Sequence, residues 1–310
     1  FITAPSISIL FSEMIAVWVI SFWENLNCPK QFNLIELGAG NGEMMKVLVN
    51  TFEKFPKFKK SCSIKILEKS KLLKKIQKKT INDKKIVWLS NLNELNNCPS
   101  IFIANEFFDA LPVKQFIKTN NQWYERHVKF VNKLKAEFLD IPFDIKNLEK
   151  KIKFKIFSNQ KFIEYSPLAS EYLKNITNKI KSNNGGILII DYGFIDKEMK
   201  NTLQSVSKHE YTDILSNFGN SDITYNLSFS LIKKIIKQLG PFFQTTTTQG
   251  KFLKNIGILN RAEILSKNMP FSKKADLYFR VKRLIDEKQM GNLFKVLFVT
   301  NKKNKFKLGF

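Results

Sequence analysis

The sequence is poor in the residues that build disulfide frameworks and metal sites. Its 310 residues include three cysteines, Cys28, Cys62 and Cys98, with no CxxC pair among them. An odd number of scattered thiols gives no disulfide framework and suits a reducing compartment. Only two histidines occur, His127 and His209. That excludes a His-rich metal site, so no metal is expected, and it argues against a Ser-His-Asp triad. Long apolar runs are lacking as well. The most apolar stretch, Ile7 to Trp23, is broken by Glu13 and three serines. It falls short of the about 20 apolar residues that a spanning helix needs. It reads as a buried amphipathic helix, so no transmembrane segment is expected. It also has neither the charged start nor the small-residue cleavage site of a signal peptide.

Acidic residues are outnumbered. Fifty-one Lys and Arg face 27 Asp and Glu, for a formal charge of +24. Such an excess raises a nucleic-acid reading. Lys, Asn, Ile and Phe, however, are all abundant and all have AT-rich codons. The lysines are also dispersed, with local runs such as Lys71, Lys74, Lys75, Lys78 and Lys79 on one helix face. A solvated surface is the preferred reading and a nucleic-acid partner the lesser one, with salt-sensitive binding to acidic partners. The 29 Phe and a hydrophobic fraction of 44% are enough for a well-filled core, in one large domain or two modest ones.

Short apolar strands alternate with amphipathic helices. Residues 32–37 read as a buried strand. Met44, Met45, Val47, Leu48, Thr51, Phe52 and Phe55 then recur at helical spacing until Pro56. Ser63 to Leu67 is a second strand, followed by a helix marked by Leu72, Leu73, Ile76 and Ile81. Lys85 to Leu89 and Ser100 to Ala104 give two more strands. This rhythm implies right-handed crossovers and a parallel sheet. After Pro112 it changes. Val113 to Lys118 and Trp123 to Phe130 flank Thr119-Asn120-Asn121-Gln122, a hairpin pattern. Val131 to Lys161 is Lys-rich and irregular, and reads as an insertion. A helix starts at Ser166-Pro167 and ends at Asn183-Asn184-Gly185-Gly186. Ile187 to Ile190, ending at Asp191, reads as a central strand. A helix over 229–239 stops at Gly240-Pro241, and Leu293 to Thr300 is a late strand.

The first strand runs into Glu36-Leu37-Gly38-Ala39-Gly40-Asn41-Gly42. Glycines there permit positive φ and let backbone approach a ligand closely, beside the unpaired N–H groups of a helix start. Dinucleotide folds use GxGxxG with the helix end facing a pyrophosphate. Here the third glycine comes one residue earlier and Glu43 stands in its place, where a carboxylate repels a pyrophosphate. S-adenosyl-L-methionine carries no phosphate but a sulfonium and an ammonium. Glu36 at the strand end suits that cationic portion, with Gly38, Gly40 and Gly42 as close-approach positions. A branched side chain at Gly38, as in Gly38→Val, is expected to fill the space the ligand needs and abolish cofactor binding. Glu68, ending the second strand, is placed to accept from both ribose hydroxyls. A tight turn with no ligand and a solvated glutamate are the plain alternatives. Trp88 and Leu89 could flank the adenine, with core packing preferred for Trp88.

Ala104-Asn105-Glu106-Phe107-Phe108-Asp109-Ala110-Leu111-Pro112 follows the fourth strand, at the sheet edge where ligands lie. Asn105 can orient an amine or a ribose and is grouped with the cofactor-binding residues. Glu106 and Asp109 are the candidate catalytic or acceptor-binding pair. Methyl transfer is an in-line displacement in which positioning matters most. Carboxylates would orient a guanidinium by charge-assisted hydrogen bonds. The alternatives are a helix cap for Asp109 and core packing for Phe107 and Phe108.

These residues carry a resemblance. The chain resembles the MidA-like family of class I methyltransferases, which includes the mitochondrial complex I assembly-factor arginine methyltransferase. The match runs through Phe1-Ile2-Thr3-Ala4-Pro5, the Glu36–Gly42 loop, Asn105–Pro112 and Trp123-Tyr124-Glu125-Arg126. It continues in Asp191-Tyr192-Gly193, Thr202–Val206, Asp222-Ile223-Thr224, Thr248-Gln249-Gly250 and Met290–Val296. The family loop usually reads ELGPGRG, and here Ala39 and Asn41 replace Pro and Arg. Its PEIS is Pro5-Ser6-Ile7-Ser8, and its FGE is Phe11-Ser12-Glu13.

The resemblance implies an α/β class I methyltransferase fold, a Rossmann-like doubly wound sheet with an inserted hairpin and helical region. The expected organisation is one methyltransferase domain over 1–310. Its core covers approximately 30–112 and 185–310, its inserted region approximately 113–184, and a family segment is expected before residue 1. The implied activity is symmetric dimethylation of an arginine on a core subunit of respiratory complex I, in support of complex assembly. The expected partner is thus a protein, in the mitochondrial matrix of a eukaryote or the cytoplasm of a bacterium. Two alternatives stay open: an RNA methyltransferase, suggested by the charge, and a non-catalytic assembly chaperone that keeps the fold.

Overall fold

A computed structural model describes residues 3–132, 135–207, 210–216 and 219–310, so Phe1, Ile2 and His209 lie outside the described residues. The chain forms two compact units. The first holds Phe1–Phe107, Asn175–Asp191 and Pro241–Phe310; the second holds Phe108–Lys174 and Tyr192–Gly240. In chain order the strands are β1 (Phe32–Leu37), β2 (Cys62–Leu67), β3 (Val87–Leu89), β4 (Ser100–Asn105), β5 (Lys114–Thr119), β6 (Gln122–Phe130), β7 (Ala136–Pro142), β8 (Phe162–Tyr165), β9 (Gly185–Phe194), β10 (Gln204–Ser207), β11 (Glu210–Thr212), β12 (Asp222–Thr224), β13 (Leu227–Ser228), β14 (Phe242–Thr248) and β15 (Phe294–Asn301). The helices are α1 (Ala4–Ile7), α2 (Ile9–Asn25), α3 (Glu43–Phe52), α4 (Pro56–Ser61), α5 (Lys71–Ile81), α6 (Ile145–Ile152), α7 (Pro167–Asn183), α8 (Phe229–Leu239), α9 (Gln249–Ile256), α10 (Ile258–Ser266), α11 (Phe271–Ile285) and α12 (Met290–Leu293).

The first unit is built on a sheet of order β14-β15-β9-β4-β1-β2-β3. Strands β3, β2, β1, β4 and β9 pair in parallel, whereas β14 runs antiparallel to β15. The doubly wound architecture is as the sequence implies, but the sheet is mixed rather than parallel throughout. Helices α9 to α12 fill the connection from β14 to β15, and an antiparallel pair so joined falls outside the right-handed rule for parallel crossovers. All six residues of β1 and of β4 are buried, so neither strand shows the alternation of a half-exposed one. Helix α2 is buried nearly all round rather than amphipathic. Trp18 and Phe22 meet Phe298 of β15 edge-on at 5.1 and 5.0 Å, and Glu13 is held by Arg261 at 2.7 Å. No helix among the described residues is long and apolar enough to cross a membrane.

Helix α5 corrects the sequence reading more sharply. Ser70 caps it by accepting from Leu73 N at 3.2 Å, and Asn82 ends it at φ +54°. Its face toward the sheet is made by Gln77 and Ile81. Leu72 is 68% exposed and Ile76 is 39% exposed.

In the second unit, β5 and β6 form the expected hairpin. Asn120 and Asn121 sit at φ +49° and +62°, the left-handed pair of a tight two-residue turn. The order is β7-β6-β5-β8, all antiparallel, beside a small sheet β11-β10-β12. The stretch read as irregular, 131–161, holds the regular elements β7 and α6. Strand β7 escaped notice because only Ala136 of its seven residues is buried, which leaves little alternation to see. Thr202 and Leu203 donate their backbone N–H groups to the buried Glu164, which also accepts from Gln115 Nε2 at 2.9 Å. The Thr202–Val206 segment thus serves to satisfy a buried carboxylate in this unit.

Candidate functional site

In the first unit the strand order reverses between β1 and β4. In open α/β sheets the loops leaving such a pair diverge, and ligands lie in the crevice outside the strands' carboxyl ends. The register pairs Glu36 with Ile103, so both strands end at one level. Glu36 is buried. Desolvation pushes its carboxyl up to about 8, and its Oε2 finds no protein partner. A buried carboxylate oxygen without a donor is costly unless a ligand supplies one.

The three loop glycines differ in what surrounds them. All have positive φ: +65° at Gly38, +53° at Gly40 and +89° at Gly42. A Cβ on Gly38 would lie 2.8 Å from the Phe107 ring. One on Gly42 would meet Ile81 at 3.1 Å and the Gln77 backbone at 3.3 Å. Only at Gly40 would it meet nothing within 4 Å. The place a Cβ would take on Gly38 is thus filled by Phe107, and that on Gly42 by α5. Gly40 borders open space. The helix start beyond is already partnered, since Glu43 N donates to Asn41 Oδ1 at 3.2 Å and Glu43 Oε2 accepts from Ser6 Oγ at 2.6 Å.

Glu68 is buried at the end of β2. Its Oε1 accepts from Ser70 N at 2.8 Å and its Oε2 from Gln77 Nε2 at 2.9 Å. The same Gln77 amide donates to Gly40 O at 2.9 Å, and its Oε1 accepts from Trp88 Nε1 at 2.9 Å. Trp88 is not core. It is half-buried, with Lys78 Nζ 5.2 Å from its ring centroid.

At the end of β4, Asn105 is buried and its Oδ1 has no protein partner, while its Nδ2 donates to Glu106 Oε1 at 3.3 Å. Glu106 adopts φ +50° and donates its backbone N–H to Ile190 O at 2.9 Å. A non-glycine residue in the left-handed region is uncommon, and such residues gather at functional sites. Glu106 Oε1 also accepts from Ala4 N at 3.3 Å, so α1 closes over this strand end.

The first unit thus brings Glu36, Gly38, Gly40, Gly42, Glu68, Asn105 and Glu106 to the carboxyl edge of one sheet. Asp109 belongs to the second unit, where it is buried and accepts from Thr224 Oγ1 at 3.0 Å. Sequence reasoning missed Gln77 and the role of α1. Gln77 could have been found as the one polar residue on the stripe shared with Leu73 and Ile81. Among the described residues, no group of three or more His, Cys, Asp and Glu is placed to hold a metal ion.

The unpartnered oxygens of Glu36 and Asn105 and the open space at Gly40 fit a ligand rich in donors and positive charge. That is the chemistry of S-adenosyl-L-methionine. Comparison with known proteins agrees. The chain is 29% identical over 342 residues to the mitochondrial protein arginine methyltransferase NDUFAF7 of Xenopus tropicalis, covering 96% of this chain and 75% of that protein. It is 29% identical over 325 residues to the human protein of the same name, covering 95% and 72%. A Burkholderia thailandensis structure with S-adenosyl-homocysteine bound shares the fold with a TM-score of 0.81 at 23% identity, covering 99% of this chain and 80% of that one. The profile of the S-adenosyl-L-methionine-dependent methyltransferase family Methyltransf_28 matches residues 14–245, and this chain belongs to that family, with S-adenosyl-L-methionine as its cofactor.

Proposed function

We propose that this methyltransferase acts on an arginine of a protein, that the acceptor is a core subunit of respiratory complex I, and that the product is symmetric dimethylarginine. The similarity to proteins named as arginine methyltransferases across 96% of the chain is the observation that carries this reading. The Asn105–Pro112 run supports it, and so does Glu106, a carboxylate kept at a strained left-handed position beside the cofactor loop. The relatives' mitochondrial setting suggests the matrix if the source is eukaryotic, and a bacterial enzyme would work in the cytoplasm.

When bound, the cofactor supplies a sulfonium-activated methyl group. Glu36, ionised against the ammonium, would hold the amino acid portion, and Asn105 Oδ1 would take a second donor from the ligand. Glu68 would accept from the ribose hydroxyls, and Gly40 would let the backbone lie against the ligand. Glu106 would orient the guanidinium by a charge-assisted hydrogen bond and steer one nitrogen toward the crevice. Asp109 is proposed for the acceptor side on the strength of its place in the same run.

Purified protein incubated with labelled cofactor and the candidate subunit is expected to yield symmetric dimethylarginine at a single position by mass spectrometry. Label on RNA and none on protein would replace this reading with the RNA methyltransferase. Cofactor binding with no label on any acceptor would replace it with the assembly chaperone.

A further inference from the structure

We propose that Gln77 is a positioning residue for the nucleoside half of the cofactor. The proposal rests on the reading of Glu36, Gly40 and Glu68 as the cofactor site. Gln77 lies on α5 and is 0% exposed. A leucine would serve packing there at no polar cost, and burying an amide is unfavourable unless its groups are paired. They are paired. One amide hydrogen goes to Gly40 O and the other to Glu68 Oε2, and the carbonyl accepts from Trp88 Nε1, each at 2.9 Å.

The partners come from three separate segments: the loop after β1, the end of β2 and strand β3. A single side chain therefore sets the loop, the ribose-binding carboxylate and the indole relative to one another. By donating to Oε2, it also fixes the rotation of the Glu68 side chain, together with Ser70 N on Oε1. The amino acid half of the ligand meets Glu36, which Gln77 does not touch.

The test is calorimetric binding of S-adenosylhomocysteine and of 5′-methylthioadenosine, which lacks the amino acid portion, to the full chain. Gln77→Met keeps the length and removes the hydrogen bonds. It is expected to raise the Kd of both ligands by about tenfold or more and by equal factors. Glu36→Gln is expected to weaken the homocysteine ligand alone. If Gln77→Met binds both ligands like wild type while Glu36→Gln loses the first, the proposal is overturned and the site reading stands. If neither variant changes either affinity, the site reading itself is overturned, and this proposal with it.

Gln77→Glu gives a second readout in case the methionine variant does not fold. Its new carboxyl would face Glu68, and only its protonated form can donate. Affinity for 5′-methylthioadenosine, which has no ammonium, is expected to recover as pH falls from 8 to 6. A purely structural role predicts a lower Tm with no such pH dependence, and that result would also overturn the proposal.

Discussion

The ends of β1 and β4 perform the same backbone task with different residues. Each follows a fully buried parallel strand, and each turns through the left-handed region, at Gly38 with φ +65° and at Glu106 with φ +50°. At Gly38 the missing Cβ makes room for the Phe107 ring. At Glu106 a side chain is retained although glycine would turn more easily, at a cost of roughly 1–2 kcal/mol. The difference teaches that one end is shaped by packing, while the other keeps a carboxylate despite strain.

Substitution in opposite directions breaks or sharpens this contrast most strongly. Gly38→Val puts a β-branched residue at positive φ and drives its Cβ into Phe107. We expect a loss of roughly 3 kcal/mol or more, seen as a Tm lower by several degrees. Glu106→Gly relaxes the backbone and deletes the carboxylate. Its Tm is expected to stay close to wild type while methyl transfer falls about 100-fold or more. If Glu106→Gly is destabilised as much as Gly38→Val, then Glu106 is a bracket for α1, and the acceptor role assigned to it is lost.

The next largest effect distinguishes Glu36, on the β1 side, by pH. In the ligand-free protein burial pushes its carboxyl up to about 8, well above the ordinary carboxylate range. The neutral form is the one the fold tolerates. The stability it contributes is full below the ordinary carboxylate range and is lost as pH rises through about 8. Wild type should therefore lose Tm relative to Glu36→Gln between pH 5 and pH 9. Cofactor affinity runs the other way. A cationic ligand needs Glu36 ionised, so wild-type affinity should climb over this range and Glu36→Gln should show a flatter profile. The cofactor's own ammonium titrates alike in both proteins, so the difference between profiles isolates Glu36. Identical profiles would remove Glu36 from the site.

Much of this contrast was legible in the sequence, for physical reasons. Strands β1 and β4 are buried on both faces, so they announce themselves as short, predominantly apolar segments. The loop glycines and the Asn105–Pro112 run mark where backbone is strained or chemistry is placed. What was hidden depends on contacts far apart in sequence. Nothing local shows that Gly38 lies against Phe107, or that α5 turns Gln77 inward and Leu72 outward. The 3.6-residue pattern of Leu72, Leu73, Ile76 and Ile81 pointed to the wrong face, because a lysine-rich helix on a small contact patch can bury one glutamine that hydrogen bonds fully satisfy. Strand β7 was hidden for the opposite reason, being too exposed to alternate.

The smallest expected effect concerns α1, which touches both strand ends. Ala4 N reaches Glu106 Oε1 on the β4 side, and Ser6 Oγ reaches Glu43 Oε2 on the β1 side. The first contact involves a backbone N–H at a half-buried carboxylate, whereas the second joins two side chains at the surface. An exposed hydrogen bond exchanges with water at little net cost, so Ser6→Ala should change stability by no more than about 0.5 kcal/mol. Ser6→Glu would set a second carboxylate against Glu43. It should lower Tm slightly at low salt and recover as salt screens the pair. If Ser6→Ala instead releases α1, read as protease cleavage near residue 4 without loss of the global Tm, then α1 is held from the β1 side. The strain kept at Glu106 would then have to be explained by the acceptor alone.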